Sequence, residues 1–220
     1  MKRLPPDQRH RPLSVVYHER SFAVVDKLPD FLSVPGRHPA SQDCVVARVR
    51  EIFPWAEGSI AAHRLDMETS GLMVMGLTPA AHKHLSRQFE KRQVAKTYIA
   101  LLEGRVEPES GHIELPFRVD WPNRPRQIHD PEHGKLGISD WQILERHRDA
   151  TRVEFTPHTG RTHQLRVHSA HPLGIGHPIV GDHLYGNPAL ADRLMLHSTT
   201  LGFYHPESDE WLSFCSPVPF

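Results

Sequence analysis

The chain has 220 residues, with 26 basic against 26 acidic side chains, 38% apolar and 24% charged. That balance suits a globular protein with one sizeable core and excludes a disordered, coiled-coil or collagen-like chain. No apolar run approaches the ~20 residues that cross a bilayer, and the basic start has no apolar stretch behind it. The only cysteines, Cys44 and Cys215, make neither a disulfide framework nor a metal knuckle, so a reducing, cytoplasmic setting is expected.

In chain order, residues 1–12 are polar and proline-bearing and read as a mobile tail. Strand-like runs follow at 13–17 and 22–26. Residues 43–53 read as a helix, because Val45, Val46, Val49, Ile52 and Phe53 fall at helical spacing. The apolar run 72–77 is short enough for a buried strand. Thr78-Pro79 then supplies a cap and a first-turn proline for a second helix. On that helix Ala81, Leu85 and Phe89 form one stripe, and Lys83, Arg87 and Lys91 form another nearly opposite. Further strands are expected at 97–102, 112–117, 139–145, 152–156 and 195–203, and a helix at 162–170. Strands outnumber helices and are not separated by regular helices. The expected class is therefore α+β, with a mixed, largely antiparallel central sheet flanked by helices and loops, in a single domain over 13–220.

Common site patterns are missing. There is no phosphate loop and no nucleophile elbow. Gly174-x-Gly176 lies in a proline-rich loop rather than after a strand, which argues against a dinucleotide site. His163, His168, His171, His177, His183 and His197 crowd the C-terminal third, but they lack H-E-x-x-H spacing and a cysteine pair. They read as surface or hydrogen-bonded structural histidines, and no metal is assigned.

Three stretches carry chemistry. In His63-Arg64-Leu65-Asp66-Met67-Glu68-Thr69-Ser70-Gly71 an aspartate sits in a turn before a buried strand. It is either a turn residue bonding nearby backbone or a carboxylate presented at a strand mouth. In Thr159-Gly160-Arg161-Thr162-His163-Gln164-Leu165-Arg166-Val167-His168 a glycine turn precedes a donor-rich helix. Gln164 and Arg166 are not expected to face a core together. Arg166 is either solvent-facing or paired with a carboxylate from elsewhere. Lys96-Thr97-Tyr98 opens a strand, and its tyrosine either packs or stacks on a base. The stripe Lys83, Arg87, Lys91, continued by Arg92 and Lys96, is under-neutralised and suits phosphate contact or a solvated face. Residues 120–127 add two arginines, an asparagine and a tryptophan in a turn-rich setting.

Together these segments resemble the RluA family of RNA pseudouridine synthases. The resemblance rests on His63-Arg64-Leu65-Asp66-x-x-Thr69-Ser70-Gly71, on Lys96-x-Tyr98 and on residues 159–168. It continues through Gly176-His177-Pro178-Ile179-x-Gly181-Asp182-x-x-Tyr185-Gly186 and Leu196-His197-Ser198. These stand in family order over about residues 14–220. Asp120-Trp121-Pro122-Asn123-Arg124-Pro125-x-Gln127 is similar to the shorter members, and no S4-like domain is expected.

The resemblance implies the pseudouridine synthase fold and isomerisation of uridine in loops of 23S ribosomal RNA, the tRNA anticodon stem-loop, or both. It implies Asp66 as the catalytic carboxylate and Arg166 as the guanidinium that keeps it charged in a dry pocket. Tyr98 would stack on the uracil, and Arg64 would hold the RNA with its base everted. It further implies no cofactor, no metal, no membrane, no obligate protein partner and a cytoplasmic monomer. Two other readings stand beside it: a catalytically silent RNA-binding module, and a metal-dependent hydrolase built on the histidine cluster. One segment departs from the family. Where members carry Lys-Pro-x-Gly, this chain has Lys27-Leu28-Pro29-Asp30. Aspartate tolerates the left-handed backbone better than most residues, so the loop is expected to keep its path.

Overall fold

A computed structural model describes residues 12–220. Most of the expected N-terminal tail therefore lies outside the described residues. In chain order the elements are β1 (Ser14–His18), β2 (Phe22–Lys27), α1 (Val45–Ile52), β3 (Ser70–Gly76), α2 (Pro79–Glu90) and β4 (Ala95–Glu103). There follow β5 (Ser110–Val119), β6 (Gln127–His129), β7 (Lys135–Arg146), β8 (Ala150–Pro157), α3 (Gln164–Ala170), β9 (Leu196–Tyr204) and β10 (Trp211–Cys215). The chain forms two compact units. The first holds the described residues up to Ala95 with Ser198–Pro217; the second holds Lys96–His197 with Val218–Phe220.

In the first unit the strand order is β1-β2-β3-β9, with β10 on β9. The pairs β1·β2, β2·β3 and β9·β10 are antiparallel. All seven residues of β3 are buried. Leu72 and Val74 join Phe22, Val24, Leu85, Leu201 and Phe203 in one cluster. Leu85 comes from α2, whose apolar stripe supplies its inward face; burying one such leucine contributes about 1.5–3 kcal/mol. The start of α2 is as the sequence predicts: Thr78 Oγ1 accepts from the Ala81 amide at 3.2 Å, with Pro79 next. In α1 the cap is the Cys44 sulfur, which accepts from the Ala47 amide, while Asp43 forms a two-bond pair with Arg48.

The second unit has the order β4-β8-β7-β5-β6, antiparallel at each pair. Its core gathers Leu102, Leu115, Phe117, Trp141, Phe155 and Leu165.

The α+β class and the largely antiparallel pairing agree with the sequence reading. Two strands, β6 and β10, were not foreseen. The third helix begins at Gln164 rather than 162, because His163 takes a left-handed φ of 57° just before it. The expectation that Gln164 and Arg166 would not share a core is corrected. Every residue from Gln164 to Ser169 is buried. Both polar side chains are satisfied there by partners on neighbouring loops and strands, described below.

Candidate active site

In the first unit, Asp66 lies in the loop that leads into β3, half-buried, with Arg64 exposed two residues earlier. The loop is pinned on both sides of Asp66. Ser33 Oγ accepts from the Leu65 amide at 3.1 Å and donates to the Leu65 carbonyl at 2.8 Å. The Met67 carbonyl accepts from the Phe31 amide at 3.0 Å and from Lys27 Nζ at 2.9 Å. Lys27 is fully buried, and its ammonium also donates to the carbonyls of Leu28 and Phe31, each at 2.8 Å. Three acceptors match its three N–H groups, which is what a buried cation requires. The Asp66 carbonyl accepts from the Thr69 amide at 3.2 Å and closes the turn.

His63 braces the start of this loop. Its Nε2 accepts from the Val74 amide at 3.1 Å, which places the ring proton on Nδ1, and its ring stacks on Phe89 at 4.3 Å. At the other end Gly71 has a φ of 113°, and a Cβ there would lie 2.3 Å from the Ser198 carbonyl oxygen. The Thr69-Ser70-Gly71 sequence is thus explained by backbone contact with β9. Asp30, where the family carries glycine, takes a φ of 53°. The turn at Asp30 is thus left-handed, and the Phe31 amide next to it reaches the Met67 carbonyl.

In the second unit, Tyr98 lies on β4 opposite Phe155 of β8, half-buried against the apolar core. Arg166 is 1% exposed and forms a two-bond fork with Asp182: Nε to Oδ2 at 2.8 Å and Nη2 to Oδ1 at 2.7 Å. That excludes the solvent-facing reading of Arg166. It also supplies a partner that sequence reasoning missed. The fork uses one edge of the guanidinium; Nη1 lies outside it. Burial on its own would raise the Asp182 carboxyl, but Arg166 and the amides of Leu184 and Tyr185 outweigh it and hold the group below the usual carboxylate range.

Asp182 is thus a second carboxylate beside the one expected at Asp66; it is fully buried, while Asp66 is half-buried. Both Asp182 and Tyr185 belong to the quoted Gly181-Asp182-x-x-Tyr185-Gly186 segment, whose spacing was the available signal. The Tyr185 ring lies 5.4 Å from the Arg166 guanidinium and 5.5 Å from that of Arg126. Its hydroxyl accepts from the Gln127 amide at 2.7 Å and meets His163 Nδ1 at 2.9 Å. Gln164 is tied down by Thr159, Arg161, Ile138 and Ser139. The helix carrying Arg166 is thus seated by polar contacts on both flanks.

The 120–127 loop is closed by its own contacts. The Asp120 amide donates to the Arg126 carbonyl, and Asn123 donates to the Asp120 carboxylate. Trp121 is 62% exposed, with Arg124 4.6 Å above its ring. An exposed aromatic face beside cations is suited to stacking on a base. Of the basic stripe, Lys83, Arg87, Lys91 and Arg92 are exposed. Lys96 is not part of that face: it is half-buried, and burial lowers its pKa.

Comparison with known proteins points to one family. The family model described as RNA pseudouridylate synthase matches residues 21–171. A Pasteurella multocida protein named dual-specificity RNA pseudouridine synthase RluA is 44% identical over 212 residues, covering 94% of each chain. One of the same name from Yersinia pestis is 47% identical over 197 residues, 88% of this chain and 93% of that one. Among solved structures, human RNA pseudouridylate synthase domain containing 1 superposes with a TM-score of 0.77 at 32% identity, over 94% of this chain and 84% of that one.

Proposed function

The chain belongs to the RNA pseudouridylate synthase family and isomerises uridine to pseudouridine in RNA; from that premise we propose that Asp66 is its catalytic carboxylate and that Arg64, Tyr98 and Arg166 bind the substrate. The reaction breaks the N1–C1′ bond and joins C1′ to C5. The proton on C5 leaves and N1 gains one, so the atoms balance without an external reagent. The target base has to leave its stack to be reached. Asp66 serves by covalent capture or by accepting a proton, both within a carboxylate's repertoire. Arg64, exposed two residues away, takes the backbone of the everted nucleotide, and Tyr98 takes the face of the uracil.

The single observation that carries this reading is the clamp on the Asp66 loop. A partly buried carboxylate whose two neighbouring residues are each fixed by buried side chains is presented at one defined place. A merely structural turn aspartate has no need of that support.

The substrate class we assign is uridine in a loop of 23S ribosomal RNA, in the tRNA anticodon stem-loop, or in both. Two observations support it: the words "dual-specificity" in the names of the relatives, and the 120–127 segment with its exposed Trp121. Residues 13–220 act as one catalytic domain, as a cytoplasmic monomer. Among the described residues no helix is long and apolar enough to cross a membrane.

The test is Asp66→Asn assayed by tritium release from C5-labelled uridine in RNA. Release is expected to stop while RNA binding persists; substantial turnover by the variant would remove Asp66 from the catalytic role. Mapping pseudouridines in total RNA with and without the gene identifies the substrate, and no change in either rRNA or tRNA would overturn that assignment.

A further inference from the structure

The second unit carries a cluster that the isomerisation does not use. His112 of β5 stands directly opposite Asp140 of β7, and Asp140 stands opposite Thr156 of β8. His158 follows two residues after Thr156 and is anchored by its amide to the Ile138 carbonyl at 3.0 Å. The three side chains meet over the sheet. His112 Nδ1 is 2.5 Å from Asp140 Oδ1, and His158 Nε2 is 2.6 Å from Asp140 Oδ2. One ligand atom from each lies within 4.8 Å of the other two.

Alternation along the strands sets which face this is. Trp141 and Phe155 point into the core, and Tyr98 opposite Phe155 packs against that core. Residues one step along, Asp140 and Thr156, therefore point to the other face. On that face His112 and Asp140 line an open cleft together with Gln142, Glu154 and Thr156. All three side chains are about half exposed, so an ion and its water can reach them.

We infer that His112, Asp140 and His158 form a binding site for a divalent first-row transition ion, of which zinc is the best match. Two imidazoles and one carboxylate leave an open coordination position for water. Nitrogen donors disfavour magnesium and calcium, which take oxygen ligands. Tetrahedral bonds of ~2.0–2.1 Å put neighbouring ligand atoms about 3.3 Å apart. The present ring-to-carboxylate distances are shorter, so each of these two contacts has to open by less than about 1 Å to admit the ion. The outer contacts suit the role as well. With Nδ1 of His112 bound, its Nε2–H points at Glu114 Oε1, 3.4 Å away, which is how a ligand histidine is usually oriented. Three adjacent strands supply the ligands or their anchors, so the backbone is already in place.

Isothermal titration of the full chain with zinc chloride tests this, with His112→Ala/His158→Ala, Asp140→Asn and a control, His147→Ala. The expected result is one tightest ion per chain, weakened at least tenfold in the double variant and in Asp140→Asn, and unchanged in the control. Millimolar magnesium is expected not to compete. Cobalt substitution gives a second readout: visible absorption of a nitrogen- and oxygen-ligated site, lost in the double variant. Circular dichroism and melting temperature of the variants should match the parent, since the residues are exposed. Zinc affinity within twofold of the parent in the double variant would overturn the assignment and place the ion on other histidines. So would equal competition by magnesium.

Discussion

Arg166 and Asp182 form a buried fork, two hydrogen bonds at 2.8 and 2.7 Å between side chains that are 1% and 0% exposed. Removing the guanidinium leaves a desolvated carboxylate, and breaking such a pair costs about 3–5 kcal/mol. Arg166→Met should therefore lose about that much stability in urea unfolding, whatever it does to RNA. Arg166→Met/Asp182→Leu should recover a large part of the loss, because no unpaired charge remains. Equal stability of parent and Arg166→Met would show that the fork contributes nothing.

The supports of the Asp66 loop predict a different pattern. Ser33→Ala loses a hydroxyl that serves both polar groups of Leu65, and should cost about 1–2 kcal/mol. Lys27→Met takes a donor from three carbonyls, of which that of Met67 keeps the Phe31 amide, and should cost on the order of 3 kcal/mol. Neither side chain is proposed to touch RNA. Turnover should then fall at least about tenfold, through a misplaced carboxylate, with little change in KM. A rise in KM at constant kcat would instead make these residues part of substrate binding.

His168 sets a pH dependence. It is fully buried beside Phe117, neither ring nitrogen has a protein partner, and burial lowers its pKa from 6.5 to about 4. The neutral ring is thus favoured in the folded state. Its contribution is fully present above pH 6.5 and is lost as pH falls from 6.5 toward 4, where the unfolded chain binds the extra proton. The total is about 3 kcal/mol. The depressed Asp182 carboxyl acts further down, below its ordinary value of 3.8. Melting curves of the parent and His168→Leu between pH 7 and 4.5 should diverge in slope, with the variant flatter. Parallel curves would contradict the buried neutral ring.

Lys83, Arg87 and Lys91 present three exposed cations along α2 and just beyond it. If each meets a phosphate, replacing all three by Gln should weaken RNA binding and reduce the salt slope by about 2, at ~0.7–0.9 per contact. An unchanged slope would return the stripe to solvent.

Strong apolar runs carried most of the fold. The run in β3 and the Thr78-Pro79 start of α2 needed only local rules. β10 escaped because only Leu212 and Phe214 of its five residues face the core, too short an alternation to stand out beside the exposed Trp211. β6 is three half-buried residues whose place depends on pairing with β5. The candidate residues Asp66, Arg64, Tyr98 and Arg166 came from motif alone. The residues that hold them did not. Nothing local announces that Lys27 is buried, since its acceptors come from residues 28, 31 and 67. The burial of Gln164 together with Arg166 was misread for a related reason: α3 is buried along nearly its whole length, and burial on that scale is a property of the assembled loops.

Asp30 has a bearing on how relatives are recognised. The turn before Phe31 needs a left-handed residue, and an aspartate fills that need as glycine does elsewhere. The physical requirement at such a place is a rotation of the chain rather than one letter of the alphabet. A search pattern that insists on glycine there discards sequences like this one, whereas one that admits Gly, Asp or Asn retains them.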